Sequence, residues 1–260
     1  MATEELEPGR ILADEAAFAD SEYLPHKDDL LLPSDLHDRY YSRSKYYRYE
    51  QSFGNALGNI SGAKVLDIGC GTGQEAVFLA LLGARVTAID ISPVGLDIAR
   101  RRAQHYGVDV DFQGLPCPTR FPPESFDIVH GVGILHHTGL DVGMQETKRL
   151  LRPGGTAVFL EPIGNSATVE RVKKWLRPKL PEKYRLTSVT EHETVFHTSD
   201  VLAYRKQFAS LEIRPYRLTM RGRKFVPRMI WPWMERFDHF ALKLPMVAQL
   251  AGLLFVHIVK

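Results

Sequence analysis

From about residue 64 onward, short apolar and β-branched runs alternate with stretches of helical spacing. Lys64 to Ile68 is one such run, ending in Gly69, and Gln74 to Leu82 follows as an apolar helix closed by Gly83. Arg85 to Ile89 repeats the strand pattern. Ser92 as N-cap and Pro93 at the first helical position then open a helix that buries Leu96, Ala99 and Ala103 and stops at Gly107. Val108 to Phe112 alternates as a third strand, and Phe126 to Val132 reads as a fourth, buried on both faces. Asp141 to Leu151 has helical spacing in Met144, Thr147 and Leu151, ends at Arg152-Pro153-Gly154-Gly155 and feeds a strand over Thr156 to Leu160. A further helix over Ser199 to Phe208 and two late strands, Leu211 to Thr219 and Leu253 to Val259, complete the pattern. Alternation of this kind predicts an α/β fold: a doubly wound, seven-stranded, mostly parallel sheet with helices on both faces.

The pattern implies a single domain over residues 34–260 with its core at 62–162, preceded by an acidic amino-terminal extension over residues 1–33. Segments 163–198 and 220–252, together with Ser34 to Ile60, are left over as caps. They are candidate covers for a ligand, because open α/β sheets bind beyond the carboxyl ends of their strands. Composition agrees with a globule: 260 residues, 44% hydrophobic and 25% charged, exclude disordered and collagen-like classes. The acidic amino terminus lacks the apolar stretch of a secretory signal. The longest apolar stretch, Met246 to Val259, is shorter than a bilayer span and is interrupted by Gln249 and His257, so no transmembrane segment is expected. Two cysteines, Cys70 and Cys117, make no disulfide framework and suit a reducing, cytoplasmic compartment.

Net charge is only +2, but its distribution is uneven. Met1 to Asp38 carries eleven Asp or Glu against two Lys or Arg, whereas Asn165 to Lys243 carries seventeen Lys or Arg against eight Asp or Glu. The basic third reads first as a solvated surface and second as a site for an anionic ligand.

The chemistry concentrates in Val65-Leu66-Asp67-Ile68-Gly69-Cys70-Gly71-Thr72-Gly73, where three glycines alternate between a buried strand and a helix. Glycine allows the sharp turn and the close approach of a ligand, and the helix that follows aims free N–H groups at the loop. A dinucleotide fingerprint would need glycine at position 74, where Gln74 stands, and does not call for an acid such as Asp67. Asp90, closing the second strand, suits the ribose hydroxyls of any adenosine ligand.

With these residues the chain resembles the class I S-adenosylmethionine-dependent methyltransferases, in particular the group that includes quinone-biosynthesis and many small-molecule methyltransferases. The resemblance takes in the glycine loop, Asp90-Ile91-Ser92-Pro93, Gly114-Leu115-Pro116, Phe126-Asp127-Ile128-Val129, Leu135-His136-His137 and Leu150-Leu151-Arg152-Pro153-Gly154-Gly155. It implies a Rossmann-like fold, S-adenosyl-L-methionine as cofactor and a small-molecule acceptor with an oxygen or nitrogen nucleophile: a natural product, sugar or lipid-like metabolite. It also implies that Gly69, Cys70, Gly71 and Gly73 lie against the cofactor's methionine and ribose parts, with Asp67 near its amino group. Asp90 would hold the ribose, Ile91 and Leu115 would flank the adenine, and Gly131 or Val132 would face the methionine moiety. No DNA partner is implied.

On the acceptor side, His136 and His137 follow the fourth strand, where a base could take a proton from an acceptor hydroxyl. His192, Glu193 and His197 form a second polar group, in which His197 is a further candidate base and His192 a candidate acceptor contact; with Glu161 they could form a metal cluster, but the spacing matches no zinc motif, so no metal is expected. Tyr41 and Tyr47 belong to a segment holding five of the ten tyrosines, which reads equally as an aromatic lid whose Tyr41 or Tyr47 touches ligand and as a helix packed on the sheet through its rings. Trp231 lies in an apolar, aromatic and Arg-containing stretch that reads as core, as an acceptor pocket or as a weak membrane-surface contact. The rival function is an RNA or protein methyltransferase using the basic region, and a third is a non-methylating user of the same cofactor.

Overall fold

The computed structural model describes residues 6–41, 49–164, 175 and 196–260. Seven strands form one sheet: β1 (Lys64–Ile68), β2 (Arg85–Asp90), β3 (Val110–Gly114), β4 (Phe126–Val132), β5 (Leu151–Pro162), β6 (Ser210–Tyr216) and β7 (Leu253–Val259). Their spatial order is β3-β2-β1-β4-β5-β7-β6, with every pairing parallel except the two that β7 makes with β5 and β6. The order reverses at β1, so the carboxyl ends of β1, β2 and β4 open onto a crevice at the switch point.

Both faces of the sheet are buried, as the near-continuous apolar strands require. Val65, Val86, Ala88, Ile128 and Val158 point to one face. There they pack against α2 (Leu36–Tyr41), α3 (Tyr49–Leu57), α4 (Gln74–Leu81) and α5 (Pro93–Tyr106). Leu66, Ile68, Ile89, Val129 and Ala157 point to the other, against α6 (Leu135–Thr138) and α7 (Leu140–Leu150). The remaining helices are α1 (Leu6–Tyr23), α8 (Thr198–Leu202), α9 (Trp231–Ala241) and α10 (Pro245–Ala248).

Several boundaries differ from the sequence reading for local reasons. β3 starts two residues later than expected because Gly107 takes the left-handed conformation and the Val108 N–H turns back to Ala103 O at 3.1 Å, a Schellman end that uses Val108 for the helix. β5 begins at Leu151 and carries a register shift opposite Phe126 and Ile128, which accommodates the extra chain at Pro153-Gly154. β6 ends at Tyr216 because Arg217 adopts a positive φ of 60°. The helix expected over Ser199 to Phe208 is α only to Leu202 and continues as a tighter turn over Ala203–Gln207. The described helices of the Ser34 to Ile60 segment, α2 and α3, do not line the crevice. Tyr40 and Phe53 pack on Phe78, Phe255 and each other with centroids 4.8–6.0 Å apart, so α2 and α3 belong to the core.

Candidate functional site

β1 delivers the glycine loop to the crevice. Gly69 and Cys70 donate their N–H groups to Ile89 O at 2.8 and 3.0 Å, which ties the loop to the end of β2. Gly69 has φ +69°, and a Cβ there would lie 2.6 Å from the Ile134 side chain. Gly73, at φ +74°, caps α4, and a Cβ on it would lie 2.6 Å from Ala99 Cβ. Glycine at 73 therefore lets α4 and α5 approach each other.

Asp90 accepts from Gly71 N–H at 2.7 Å and Ser92 N–H at 2.8 Å. Burial raises its pKa, against the lowering effect of these backbone donors. Ser92 caps α5 as expected, accepting from Gly95 N–H at 2.8 Å, with Pro93 at the first helical position.

These residues form one wall of a cavity of about 1030 Å³. Gly69, Asp90, Ile91, Leu115, Cys117, Val132, Gly133 and His137 all line it. The resemblance thus brings Asp90, Ile91, Leu115 and Val132 to one space. Gly131 lies beneath, where a Cβ would meet Ile134 and Phe159 at 2.8 and 3.0 Å. Burial pushes the Cys117 thiol up to about 12 and the Cys70 thiol well above its ordinary value, so both stay protonated rather than nucleophilic, and of the two Cys117 lines the cavity.

The opposite wall comes from a segment that the sequence reading put outside the domain. Ile11, Leu12, Glu15, Phe18, Ala19, Glu22 and Tyr23 of α1 face the same cavity. Asp20 accepts from the Ser92 hydroxyl and, at 3.2 Å, from Val94 N–H, so α1 docks on the amino terminus of α5, where a carboxylate is favoured. Tyr23 lies over Gly71 and Gly95, and burial followed by the Asp90 charge raises its hydroxyl pKa. The chain after α1 is held by buried Arg102, which donates to Leu30 O at 3.1 Å and to the carbonyls of Asp29 and Thr72. Burial, the largest influence, lowers the Arg102 pKa.

Two histidine–carboxylate pairs stand at the end of β4. His137 Nδ1 lies 2.9 Å from Glu15 Oε2 of α1, and His136 Nδ1 lies 2.8 Å from Glu161 Oε2. The two rings stack with centroids 4.1 Å apart. Glu161 is fully buried and also accepts Ile134 and Leu135 N–H at 2.9 Å. A carboxylate only accepts, so Nδ1 of each histidine donates to it and each Nε2 is left to face away from the pair.

Beneath the loop lies a polar group that sequence reading missed. Asp67 Oδ1 and His130 Nδ1 are 2.7 Å apart, with side chains 3% and 1% exposed. His130 lies level with Asp67 across the β1–β4 pairing, so a polar residue in an otherwise apolar strand, in register with the acid, was the available signal. Glu75, whose pKa burial raises, accepts from the Tyr40 hydroxyl at 2.6 Å. Asp67 Oδ2 and His130 Nε2 are buried with no partner among the described residues. A buried carboxylate oxygen awaiting a donor, together with Asp90 and the apolar pair Ile91 and Leu115 on one cavity wall, fits an amino-acid-bearing adenosine cofactor.

Other candidates stand elsewhere. Tyr41 lines a separate cavity of about 380 Å³ with His37, Ile60 and Leu82, drawn there because α2 packs on the core. His197 opens α8, its N–H donating to Asp200 Oδ2 at 2.7 Å, and is not part of the large cavity's wall. Trp231 is likewise absent from that wall: its indole donates to Val226 O at 3.3 Å and its ring lies under Arg223 and Arg228. Tyr47 and His192 lie outside the described residues.

Residues 65–155 match the family model described as a methyltransferase domain. A demethylmenaquinone methyltransferase of Chlorobaculum parvum is 38% identical over 103 residues, 38% of this chain and 41% of that protein. A ubiquinone biosynthesis O-methyltransferase of Nitrosococcus oceani is 31% identical over 155 residues, 58% of this chain and 63% of that protein. The match to the first of these relatives therefore spans about two fifths of its length. The geranyl diphosphate C-methyltransferase of Streptomyces coelicolor superposes with a TM-score of 0.58 at 16% identity, covering 96% of this chain and 97% of that one, which bears on the fold alone. No described helix is long and apolar enough to cross a membrane. Residues 65–155 thus match a methyltransferase domain, and the glycine loop, the acid at the end of β2 and the order of β1, β2 and β4 all lie within the matched region.

Proposed function

We propose that this chain methylates a small, largely apolar acceptor with S-adenosylmethionine as the donor. The observation that carries the reading is the single cavity of about 1030 Å³ in which the cofactor-type wall, Gly69, Asp90, Ile91 and Leu115, faces His137 and the apolar side chains of α1. That volume is at the upper end of the ~300–1,000 Å³ of one small-molecule pocket, room for a cofactor and a second molecule. When bound, S-adenosylmethionine supplies an electrophilic methyl group on a sulfonium centre.

The chain's own residues bind, orient and deprotonate. Asp90 offers carboxylate oxygens to ribose hydroxyls, and Ile91 and Leu115 clasp the adenine. Ile11, Leu12 and Phe18 exclude water and hold an apolar acceptor, a positioning role that can supply up to ~7–11 kcal/mol. His137 Nε2, with Nδ1 fixed by Glu15, receives the proton of an acceptor hydroxyl. The curated relatives are by name methyltransferases of ubiquinone biosynthesis and of demethylmenaquinone, so phenolic quinone precursors head the acceptor panel. No described feature favours an RNA or protein acceptor.

The test is product formation from S-adenosylmethionine across that panel, followed by His137→Gln. Turnover on a hydroxyl acceptor is expected to fall ~10²–10⁴-fold with cofactor affinity near wild type. Turnover within about tenfold of wild type removes His137 as base, and absence of any cofactor binding by calorimetry overturns the reading itself.

A further inference from the structure

The helix α9 is built inside out. A surface helix of a globular protein turns its apolar stripe inward and its charges to water. Here the exposed positions are Trp233, Arg236, Phe237 and Phe240, spaced as one face, while the side turned inward carries Asp238. Asp238 is buried and accepts Leu218 N–H, Thr219 N–H, the Thr219 hydroxyl and Met220 N–H at 2.6–3.2 Å. The helix is thus anchored through a carboxylate, with its aromatic face outward.

The same surface continues on both sides of the helix. Phe225, Met229 and Ile230 before it, and Leu244 and Met246 after it, are exposed. Trp233 is 70%, Met229 80% and Met246 84% exposed. Single exposed apolar residues are ordinary, but a contiguous sequence segment of this many is not. Charge completes the picture. Arg221 to Lys243 contains six Lys or Arg against two Asp or Glu, and one of those acids is the buried Asp238. Arg236 lies over the Trp233 ring at 5.7 Å, Lys243 over Phe240 at 5.1 Å, and Arg223 and Arg228 over Trp231 at 5.7 and 5.6 Å. Cations are therefore held at the level of the rings. Trp and Phe at the acyl boundary with Arg and Lys among anionic headgroups is the arrangement that an interfacial segment adopts.

Topology places the segment that carries this surface at the same edge of the sheet as the cleft. β6 ends at Tyr216 and β7 starts at Leu253, paired with each other and with Pro162 at the end of β5. The connection between them therefore springs from the carboxyl edge of the sheet, the edge at which β1 delivers the glycine loop.

We propose that the face formed by residues 225–246, centred on Trp233 and Phe237, docks the protein peripherally on an anionic lipid bilayer. The occupant follows from charge complementarity: an apolar face with stacked cations suits a surface that is apolar within and anionic at its boundary. No described helix crosses a membrane, so the contact is one of adsorption. The inference goes beyond methyl transfer and needs neither cofactor nor acceptor.

The experiment is co-sedimentation of the full chain with phosphatidylcholine vesicles and with vesicles that also contain phosphatidylglycerol, at low and high salt. Wild type is expected to bind the anionic vesicles, to bind the neutral ones weakly, and to be released in part by salt. The W233E/F237E variant is expected to lose at least tenfold in partitioning, and the R236E/K243E variant to lose the preference for anionic lipid. Circular dichroism and thermal unfolding check that each variant folds. Quenching of wild-type tryptophan fluorescence by brominated lipid, reduced in W233F, gives a readout that needs no charged substitution. Wild type that stays in the supernatant with every vesicle overturns the proposal, as does W233E/F237E binding like wild type. A wild-type dimer that ignores vesicles and falls to monomer in W233E/F237E also overturns it, assigning the face to a second copy of the chain. Capture of an acidic protein without vesicle binding does the same.

Discussion

Asp67→Asn removes one member of the buried pair beneath the glycine loop, and its effect is predicted to depend on pH in a defined direction. Burial pulls the His130 pKa down, but the charge and hydrogen bond of Asp67 and the charge of Glu75 outweigh it, and the net shift is upward from 6.5. A histidine whose folded pKa is raised binds its proton more tightly in the native state. The stabilisation it supplies is complete below the unfolded value and is lost as pH rises through the folded one. Both side chains are essentially inaccessible, 3% and 1% exposed, so solvent does not screen the pair. Removing one partner of such a pair costs about 3–5 kcal/mol. Against a total stability of ~5–15 kcal/mol, that is a large share. Asparagine keeps an oxygen for a neutral His130, so the cost should shrink once the histidine has lost its proton. Urea unfolding followed by tryptophan fluorescence, from mildly acidic to alkaline pH, measures this directly. The difference between wild type and Asp67→Asn should be largest at and below about pH 6.5 and narrow above it. A difference constant across that range, or absent at its acid end, refutes the reasoning that the pair is charged.

Other consequences follow from the cleft and its loop. Asp90→Ala, which removes the charged acceptor for ribose, should weaken S-adenosylhomocysteine binding by about one to two orders of magnitude in calorimetry, whereas an unchanged affinity in a folded variant removes Asp90 from the site. Gly73→Ala combines a left-handed backbone, costing ~1–2 kcal/mol, with a Cβ pressed against Ala99, costing ~1–3 kcal/mol. Its midpoint in urea should fall accordingly, and a neutral result would show that α4 and α5 separate at little cost.

The sheet was legible because its signals are local. Gly69, Gly73 and Gly107 mark places where the backbone turns left-handed, and Ser92-Pro93 marks a helix start that the structure reproduces atom by atom. The meeting of the glycine loop with Asp90 was legible for the same reason: they lie in two consecutive βα units, and their contact through the Gly71 N–H is a property of the pairing of β1 with β2. The second wall was not. Glu15 and Asp20 read as part of an acidic, solvated extension, yet Glu15 turns inward to His137 and Asp20 to the amino terminus of α5, contacts separated by 122 and 72 residues in the chain. Charge counting cannot tell a carboxylate that faces water from one that meets a histidine or a helix end. Conversely, the tyrosine-rich segment read equally as a lid, and Tyr40 and Tyr41 went to the core because Phe53 and Phe78 offered aromatic faces to pack on.

This division bears on where acceptor selectivity resides. The proposed cofactor wall is made of Gly69, Asp90 and the two apolar residues Ile91 and Leu115, features suited to an adenosine-bearing donor whatever the acceptor. The facing wall is made of side chains, Ile11, Leu12, Glu15 and Phe18, carried on a single helix that docks through Asp20 and is followed by a segment pinned by Arg102. Change on that wall alters the shape of the cavity without touching the loop or the strands, because α1 contributes no strand to the sheet. The matched family region begins at residue 65 and so excludes α1, whereas His137, which meets Glu15 at 2.9 Å, lies inside it. The reacting centre would then be shared between the two walls. If His137 is the base, a residue inside the matched region would have its ring orientation fixed by Glu15 of α1, outside that region, and this contact would couple acceptor fit to proton removal.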